Sequence, residues 1–211
     1  MEPLRGKDAQ CLQVARMKLG IFGGTFDPVH HGHLIVAEYV RERAGLDRVL
    51  FIPTMISPHK VDVPVTPAIH RFAMLREAVK SNPFFEVSDA EMERGGVSYT
   101  VDTLRMIGER HAGDELFLLI GADNLRDFRS WKDPGEIVKR ATLIVMNRPG
   151  FSAVPGGAGL PADVMECTVP SIDISATEIR RRVRKGLSIS YLVPPSVSRY
   201  IGRHRLYRGE E

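Results

Sequence analysis

The residues of this chain best suited to phosphate chemistry lie between Gly20 and His33. An apolar run ends there in two glycines, and a proline and three histidines follow before an amphipathic segment. Glycine lets a backbone approach a ligand closely, and the N–H groups at the start of a helix favour phosphate. His30 and His33, with a glycine between them, can hold an oxyanion without general-base chemistry. The pattern predicts a strand, a tight loop and a helix, and indicates an enzyme that acts on nucleotide phosphates.

Two common nucleotide-binding loops and a metal site are disfavoured by the same sequence. The chain contains no G-x-x-x-x-G-K-[ST] motif, and its glycine spacing does not fit G-x-G-x-x-G. This disfavours P-loop hydrolases and ordinary dinucleotide oxidoreductases. His30 and His33 are not four residues apart, and no cysteine or carboxylate nearby completes a zinc set. We therefore expect no metal ion held by these side chains.

Apolar, strand-forming runs alternate with helical patterns along the chain. This alternation predicts an α/β fold, with a Rossmann-like, doubly wound parallel sheet followed by C-terminal helices. The strands are predicted near Lys18–Phe22, Arg48–Ile52, Phe85–Ser88, Leu116–Ile120, Thr142–Met146 and Val164–Val169. The helices are predicted near Gly32–Ala44, Pro67–Ser81, Thr100–Ala112, Gly135–Arg140, Ala176–Lys185 and Pro195–His204.

Local signals mark two helix starts and one loop. Thr66 precedes a proline that suits the first helical position, which predicts a hydroxyl cap. Ser175 is followed three residues later by Glu178, which fits a capping box. The Gly/Pro-rich stretch from Pro149 to Pro161 predicts a surface loop between the last two strands.

The size and composition of the chain indicate one globular domain. Its 211 residues are 43% hydrophobic, enough for a sizeable core. We assign residues 17–211 to a single domain and residues 1–16 to a loose N-terminal extension. No apolar run approaches the roughly 20 residues of a membrane span, the N-terminus lacks a signal-peptide pattern, and two cysteines are too few for a disulfide framework. We expect a cytoplasmic protein with no membrane partner.

The net charge of +3 is small, and its excess is concentrated near the C-terminus, beginning with Arg180–Lys185. A single-strand nucleic-acid surface would also carry stacking aromatic residues between the cations, and this segment contains none. We interpret it as a solvated basic helix with a few residues that face an anionic small ligand. We therefore expect no nucleic-acid partner.

The motifs that carry chemistry follow predicted strands, and ligands of an open parallel sheet bind beyond the carboxyl ends of its strands. Gly23-Gly24-Thr25-Phe26-Asp27-Pro28-x-His30-x-Gly32-His33 and Ile174-Ser175-x-Thr177-x-x-Arg180 resemble the signature pair of the HxGH nucleotidyltransferase superfamily. Further motifs make the chain similar to bacterial nicotinate-nucleotide adenylyltransferases: Ser57–Lys60, Tyr99–Leu104, Gly121–Asn124 with Trp131–Lys132, and Arg148–Gly150. The resemblance extends from about residue 18 to beyond residue 200.

This resemblance implies transfer of the adenylyl group of ATP to nicotinate mononucleotide. The products would be nicotinate adenine dinucleotide and pyrophosphate, and Mg²⁺ would bind mainly through the ATP phosphates. The implied reaction agrees with the residues, because an ionised phosphate monoester needs no catalytic base and only alignment and charge stabilisation remain. The partners would be these two nucleotides, and a homo-oligomer stays open.

The same resemblance implies a role for each matching residue. The catalytic residues would be His30, His33 and Arg180. The ATP-binding residues would be Gly23, Gly24, Thr25, Phe26, Arg148, Ser175 and Thr177. The residues that contact nicotinate mononucleotide would be Lys60, Thr100, Asp123 and Trp131. Trp131, the only tryptophan of the chain, would stack on the pyridine ring, and Thr100 would bind the nicotinate carboxylate.

Other functions stay open from the sequence. Nicotinamide mononucleotide is one alternative acceptor, because the acid and the amide differ at one atom. Phosphopantetheine is another, although such enzymes are typically shorter and would leave Trp131 unexplained. A nucleotide-binding module without turnover is a third, and it would be expected to lose His33 or Arg180.

Overall fold

Six parallel strands form the central sheet of the computed structural model, which describes residues 16–58, 64–147 and 164–209. The strands are β1 (Lys18–Gly24), β2 (Arg48–Pro53), β3 (Phe85–Val87), β4 (Glu115–Gly121), β5 (Thr142–Asn147) and β6 (Val164–Thr168). They lie in the order β3-β2-β1-β4-β5-β6, and every neighbouring pair is parallel. The strand order reverses between β1 and β4, so a ligand crevice is expected at that point. The predicted doubly wound fold is confirmed.

Helices cover both faces of this sheet. They are α1 (His31–Ala44), α2 (Ala68–Val79), α3 (Ala90–Arg94), α4 (Thr100–Arg110), α5 (Ala122–Asp127), α6 (Pro134–Arg140), α7 (Ala176–Arg184) and α8 (Pro195–Arg203). One buried cluster joins the sheet to α1, α2, α7 and α8, and a second joins it to α3, α4, α5 and α6. Residues of β4 alternate between the two clusters, which explains why the strands read as apolar on both faces.

The long elements agree with the sequence predictions, and the short ones do not. The bounds of the predicted strands and helices lie within two residues of the observed bounds. Two short helices, α3 and α5, and a 3-10 turn at Phe128–Ser130 were not predicted. Each spans three to six residues, too few to show a helical apolar period.

The two predicted caps have opposite outcomes. The hydroxyl half of the predicted Ser175 capping box is confirmed, because the hydroxyl accepts the N–H of Glu178 over 3.2 Å, while the Glu178 carboxylate pairs with Arg181. The Thr66 cap was wrong: α2 begins at Ala68 without a side-chain cap. The backbone of Thr66 instead donates to a carboxylate oxygen of Asp27 and accepts from the guanidinium of Arg71. Thr66 therefore joins α2 to the loop after β1.

Several sequence predictions fall outside the described residues. They are the extension before Arg16, the surface loop at 149–161, and the candidate site residues Lys60 and Arg148. Among the residues that the structure describes, no helix has both the length and the apolar character needed to cross a membrane.

Candidate active site

The histidine loop, residues 23–33, connects β1 to α1 where the strand order reverses. Two of its glycines leave space for neighbouring rings. A Cβ on Gly24 would lie 3.0 Å from the ring of Phe26, and a Cβ on Gly32 would lie 3.0 Å from Nδ1 of His30. Larger residues would displace these rings, so glycine at both positions fixes where the aromatic and imidazole groups lie.

His30 and His33 form a stacked pair at the start of α1, with ring centroids 3.6 Å apart. The backbone N–H of His30 donates to Nδ1 of His33 over 3.3 Å. Because Nδ1 is the acceptor, the neutral His33 ring carries its proton on Nε2. The side chain of His30 in turn faces the backbone N–H of His33, so the two histidines form a reciprocal capping box at the start of α1. This arrangement fixes both rings at the helix N-terminus, where an anion is favoured.

Neither imidazole is charged near neutral pH. Burial lowers the pKa of His30 to about 4, and the neighbouring His31 adds to this effect. Burial also lowers the pKa of His33 to about 3, and a charge on His30 would lower it further. The pair therefore offers N–H donors to a phosphate, and positive charge must come from other groups.

Arg180 brings such a charge to the histidine loop from the other end of the sequence. Its Nη1 donates to the backbone carbonyl of Asp27 over 2.6 Å, and its Nη2 donates to the hydroxyl of Thr177 over 3.3 Å. Ser175 and Thr177 are exposed at the start of α7. The structure thus brings the two signature motifs together across 153 positions of sequence.

The buried side chain of Arg71 binds the backbone of the histidine loop. This side chain is 2% exposed, and it donates to the carbonyls of Thr25, Met55 and Thr66. Burial lowers the pKa of Arg71, yet guanidinium stays charged because its ordinary pKa is so high. Sequence reasoning missed this role, because an arginine on an amphipathic helix ordinarily faces water.

A cavity of about 600 Å³ opens beside the histidine loop, between β1 and β4. We call it the tryptophan cavity. Its lining includes Gly23, Gly24 and Thr25 of the loop, together with Thr100 and Trp131. The predicted loop, threonine and tryptophan are therefore at one site. Asp123 is not among the lining residues; it is exposed on α5, and the adjacent Asn124 lines the cavity instead.

Trp131 is half-buried and is held in place from two sides. Its ring packs on Phe128 with centroids 5.4 Å apart. The next residue, Lys132, places Nζ 3.0 Å from Oδ2 of Asp102 in the first turn of α4. The same ammonium lies 4.7 Å from the ring centre of Tyr99. These contacts hold residues 131–132, the tryptophan segment, against the start of α4. Thr100 lies in the first turn of this helix, where a backbone N–H has no partner within the helix.

Glu91 places a buried carboxylate in the wall of the tryptophan cavity. It is 5% exposed, and it accepts the hydroxyl of Thr103 over 2.6 Å and the N–H of Met55 over 3.3 Å. Sequence reasoning missed Glu91, since a glutamate in a charged run resembles a surface residue. Its hydrogen bonds connect the loop after β2 to α4.

Comparison with known proteins agrees with these observations. A family model described as cytidylyltransferase-like matches residues 21–182. A protein of Thermomicrobium roseum named "Probable nicotinate-nucleotide adenylyltransferase" is 46% identical over 202 residues, covering 92% of this chain and 93% of its own length. A protein of the same name from Thermus thermophilus is 46% identical over 192 residues, covering 91% and 100%.

Solved structures show the same fold. A Plasmodium falciparum nicotinic acid mononucleotide adenylyltransferase complexed with NaAD aligns with a TM-score of 0.72 at 20% identity, covering 91% of this chain and 98% of the other. The same enzyme complexed with APC aligns with a TM-score of 0.71 at 19% identity, with the same coverage. At such identities the likeness concerns the fold.

Proposed function

The chain belongs to the cytidylyltransferase-like family and, within it, to the nicotinate-nucleotide adenylyltransferases, and we propose that it transfers the adenylyl group of ATP to nicotinate mononucleotide. The observation that carries this proposal is that the histidine loop borders both halves of one site. Its glycines line the tryptophan cavity, and its histidines lie beside Arg180. A nucleotide acceptor in the cavity and ATP phosphates at the histidines would therefore meet at the loop.

The reaction proposed is a direct in-line displacement. A phosphate oxygen of nicotinate mononucleotide attacks the α-phosphorus of ATP, a new P–O bond forms, the bond to the β-phosphate breaks and pyrophosphate leaves. The attacking phosphate is already ionised near pH 7, so alignment and charge stabilisation are the main tasks. Neutral His30 and His33 suit this chemistry, because they donate hydrogen bonds and have little tendency to take a proton.

At the phosphate half, we assign His33 Nε2–H to the α-phosphate and His30 to the adjacent phosphate oxygens. Arg180 would neutralise charge on the departing pyrophosphate. Seven further residues would complete the ATP site: Gly23, Gly24, Thr25, Phe26, Arg148, Ser175 and Thr177. Of these, Arg148 lies outside the described ranges.

At the acceptor half, Trp131 would stack on the pyridine ring and the N–H of Thr100 would bind the carboxylate. The helix dipole of α4 favours an anion at that position. Asp123, next to the cavity-lining Asn124, would accept hydrogen bonds from the ribose, and Lys60 would meet the acceptor phosphate. Recognition of a carboxylate by neutral N–H donors explains why the sequence contains no charged signature for it.

Mg²⁺ would be held by the ATP phosphate oxygens and would neutralise part of their charge. The donor set fits this arrangement. His30, His33 and Arg180 would contact the phosphates as hydrogen-bond donors and would leave the phosphate oxygens to hold the ion.

Pyrophosphate release from MgATP tests the proposal, with nicotinate mononucleotide and nicotinamide mononucleotide supplied in separate reactions. We expect a higher kcat/KM for the acid, as the names of the relatives and the start of α4 both favour a carboxylate. Equal or reversed values would keep the reaction but contradict the carboxylate site at Thr100. Release with phosphopantetheine alone would contradict the proposed acceptor.

A further inference from the structure

Tyr207, near the C-terminus, reaches back to the histidine loop. Its hydroxyl donates to Oδ1 of Asp27 over 2.7 Å, across 180 positions of sequence. Its ring is half-buried against the cluster that joins the sheet to α1, α2, α7 and α8. Its backbone has a φ of 62°, in the left-handed region that non-glycine residues seldom adopt. The chain end is therefore folded back in a way that presents this hydroxyl to Asp27.

Asp27 connects the hydroxyl to Arg180. The residue is 6% exposed, and both oxygens of its carboxylate are used: Oδ1 accepts from Tyr207 and Oδ2 accepts the N–H of Thr66 over 3.2 Å. The backbone carbonyl of the same residue accepts Nη1 of Arg180 over 2.6 Å. The side chain of Asp27 thus fixes the position of the carbonyl that holds the guanidinium.

We propose that Tyr207 is a positioning residue for ATP binding. Its hydroxyl holds Asp27 so that the backbone carbonyl of Asp27 orients Arg180 toward the ATP phosphates. The inference rests on the proposed role of Arg180 in phosphate binding. Burial and the nearby Asp27 carboxylate raise the pKa of Tyr207, so the hydroxyl stays protonated and acts as the donor. Removing only the hydroxyl leaves the ring packing intact, so the loss is confined to one donor to Asp27.

Calorimetric titration with MgATP, in the absence of any acceptor, measures this effect directly. We expect Tyr207→Phe to raise the Kd for MgATP about tenfold, the usual scale of one lost hydrogen bond to a charged group. Tyr200→Phe is the matched control, because the Tyr200 hydroxyl bonds Nδ1 of His70 over 3.0 Å at the contact between α8 and α2. We expect its Kd to stay within about twofold of wild type. The Tm of each variant is measured first, because the buried Asp27 loses a donor only in Tyr207→Phe, and both titrations are made well below the lower Tm.

A double-variant comparison tests the route through Arg180. If Tyr207 acts by orienting the guanidinium, adding Tyr207→Phe to Arg180→Gln weakens MgATP binding no further. Additive losses would overturn the proposal, as would an unchanged Kd in Tyr207→Phe or equal losses in both tyrosine variants. Steady-state kinetics of Tyr207→Phe should show a raised KM for ATP and an unchanged KM for nicotinate mononucleotide, whereas a smaller folded fraction would alter neither KM.

The outcomes separate this inference from the proposed function. If wild-type protein binds MgATP but releases no pyrophosphate with nicotinate mononucleotide, the proposed acceptor is wrong. The Kd values of the two tyrosine variants for MgATP would still test the positioning role. If wild-type protein turns over nicotinate mononucleotide and Tyr207→Phe binds MgATP with wild-type affinity, only the positioning role is contradicted.

Discussion

The two halves of the site are constructed from different kinds of interaction. At the histidine loop, ring positions are fixed by glycines, and backbone carbonyls of Thr25 and Asp27 are held by the guanidinium groups of Arg71 and Arg180. The tryptophan cavity is lined by apolar and aromatic residues interspersed with polar ones, and the segment that contains Trp131 is held by side chains, such as the ion pair of Lys132 with Asp102. A phosphate chain needs fixed donors wherever it binds, whereas a flat ring needs a surface and a few orienting groups.

This difference predicts that substitutions in one half affect one substrate. Changes at the histidine loop should act on ATP and on turnover, and changes at the cavity should act on the acceptor. Single substitutions can test that separation, and those at the histidine loop should have the greatest consequences.

His33→Ala should lower kcat by at least about 100-fold, roughly the effect of losing one donor that stabilises transition-state charge. Its Tm is measured alongside, because the His33 ring packs against Phe26 and His30, and kcat is compared at a temperature well below that Tm. His111→Ala is the matched control: His111 pairs with Asp114 over 3.5 Å at the far end of α4 from the cavity, and its kcat should equal that of wild type. Near wild-type turnover in His33→Ala would contradict the phosphate site.

Lowering the pH should lower the free energy of unfolding of the protein, in part through protonation of His30. The folded pKa of about 4 is below the ordinary value of 6.5, so the unfolded state binds the proton first. The contribution of neutral His30 to the free energy of unfolding is therefore fully present above pH 6.5, and it is lost as the pH falls toward 4. Between pH 7 and pH 5 one such group accounts for about 2 kcal/mol of unfolding free energy.

Denaturant unfolding of wild type and His30→Asn at both pH values measures this contribution. The variant should lose less stability than wild type over that interval. Identical pH dependence in the two proteins would show that the imidazole titrates normally in the folded state.

Trp131→Ala should raise the KM for nicotinate mononucleotide about tenfold, the scale of one lost stacking contact, while the KM for ATP stays within about twofold. Steady-state kinetics with each substrate varied in turn measures both values. Equal increases for both substrates would place Trp131 in a purely structural role and remove the separation between the halves.

Lys132→Met should have the mildest consequence, an increase of about threefold in the acceptor KM, as expected for a partly exposed ion pair. Arg105→Met is its matched control, because Arg105 also pairs with Asp102, over 3.4 Å, but is absent from the cavity lining. A similar KM in both variants would show that Lys132 does not position the tryptophan segment.

The scaffold of the site was predictable from the sequence, and most of its supports were not. Apolar runs located the strands, and the spacing of His30, Gly32 and His33 located the histidine loop. Arg71 and Glu91 escaped prediction because charged residues are rarely buried unless distant groups satisfy them, and those groups are carbonyls, hydroxyls and N–H groups from separate segments. A backbone N–H or carbonyl carries no sequence signal of its own.

The wrong Thr66 cap has a related cause. Local chemistry favoured a hydroxyl cap, but the Thr66 backbone is held by Asp27, 39 positions away, and by Arg71, and α2 begins at Ala68 without a side-chain cap. Tyr207 was missed for the same reason, as its partner is 180 positions away. Sequence patterns report neighbours along the chain, whereas these residues act across the fold.

Equilibrium titrations of two variants with two ligands would decide whether the site has separable halves. Arg180→Gln and Trp131→Ala would each be titrated with MgATP and, separately, with nicotinate mononucleotide. We expect a crossed result: Arg180→Gln loses affinity for MgATP and retains the acceptor, and Trp131→Ala does the reverse. Equal losses of both ligands in both variants would contradict two halves that meet at the histidine loop.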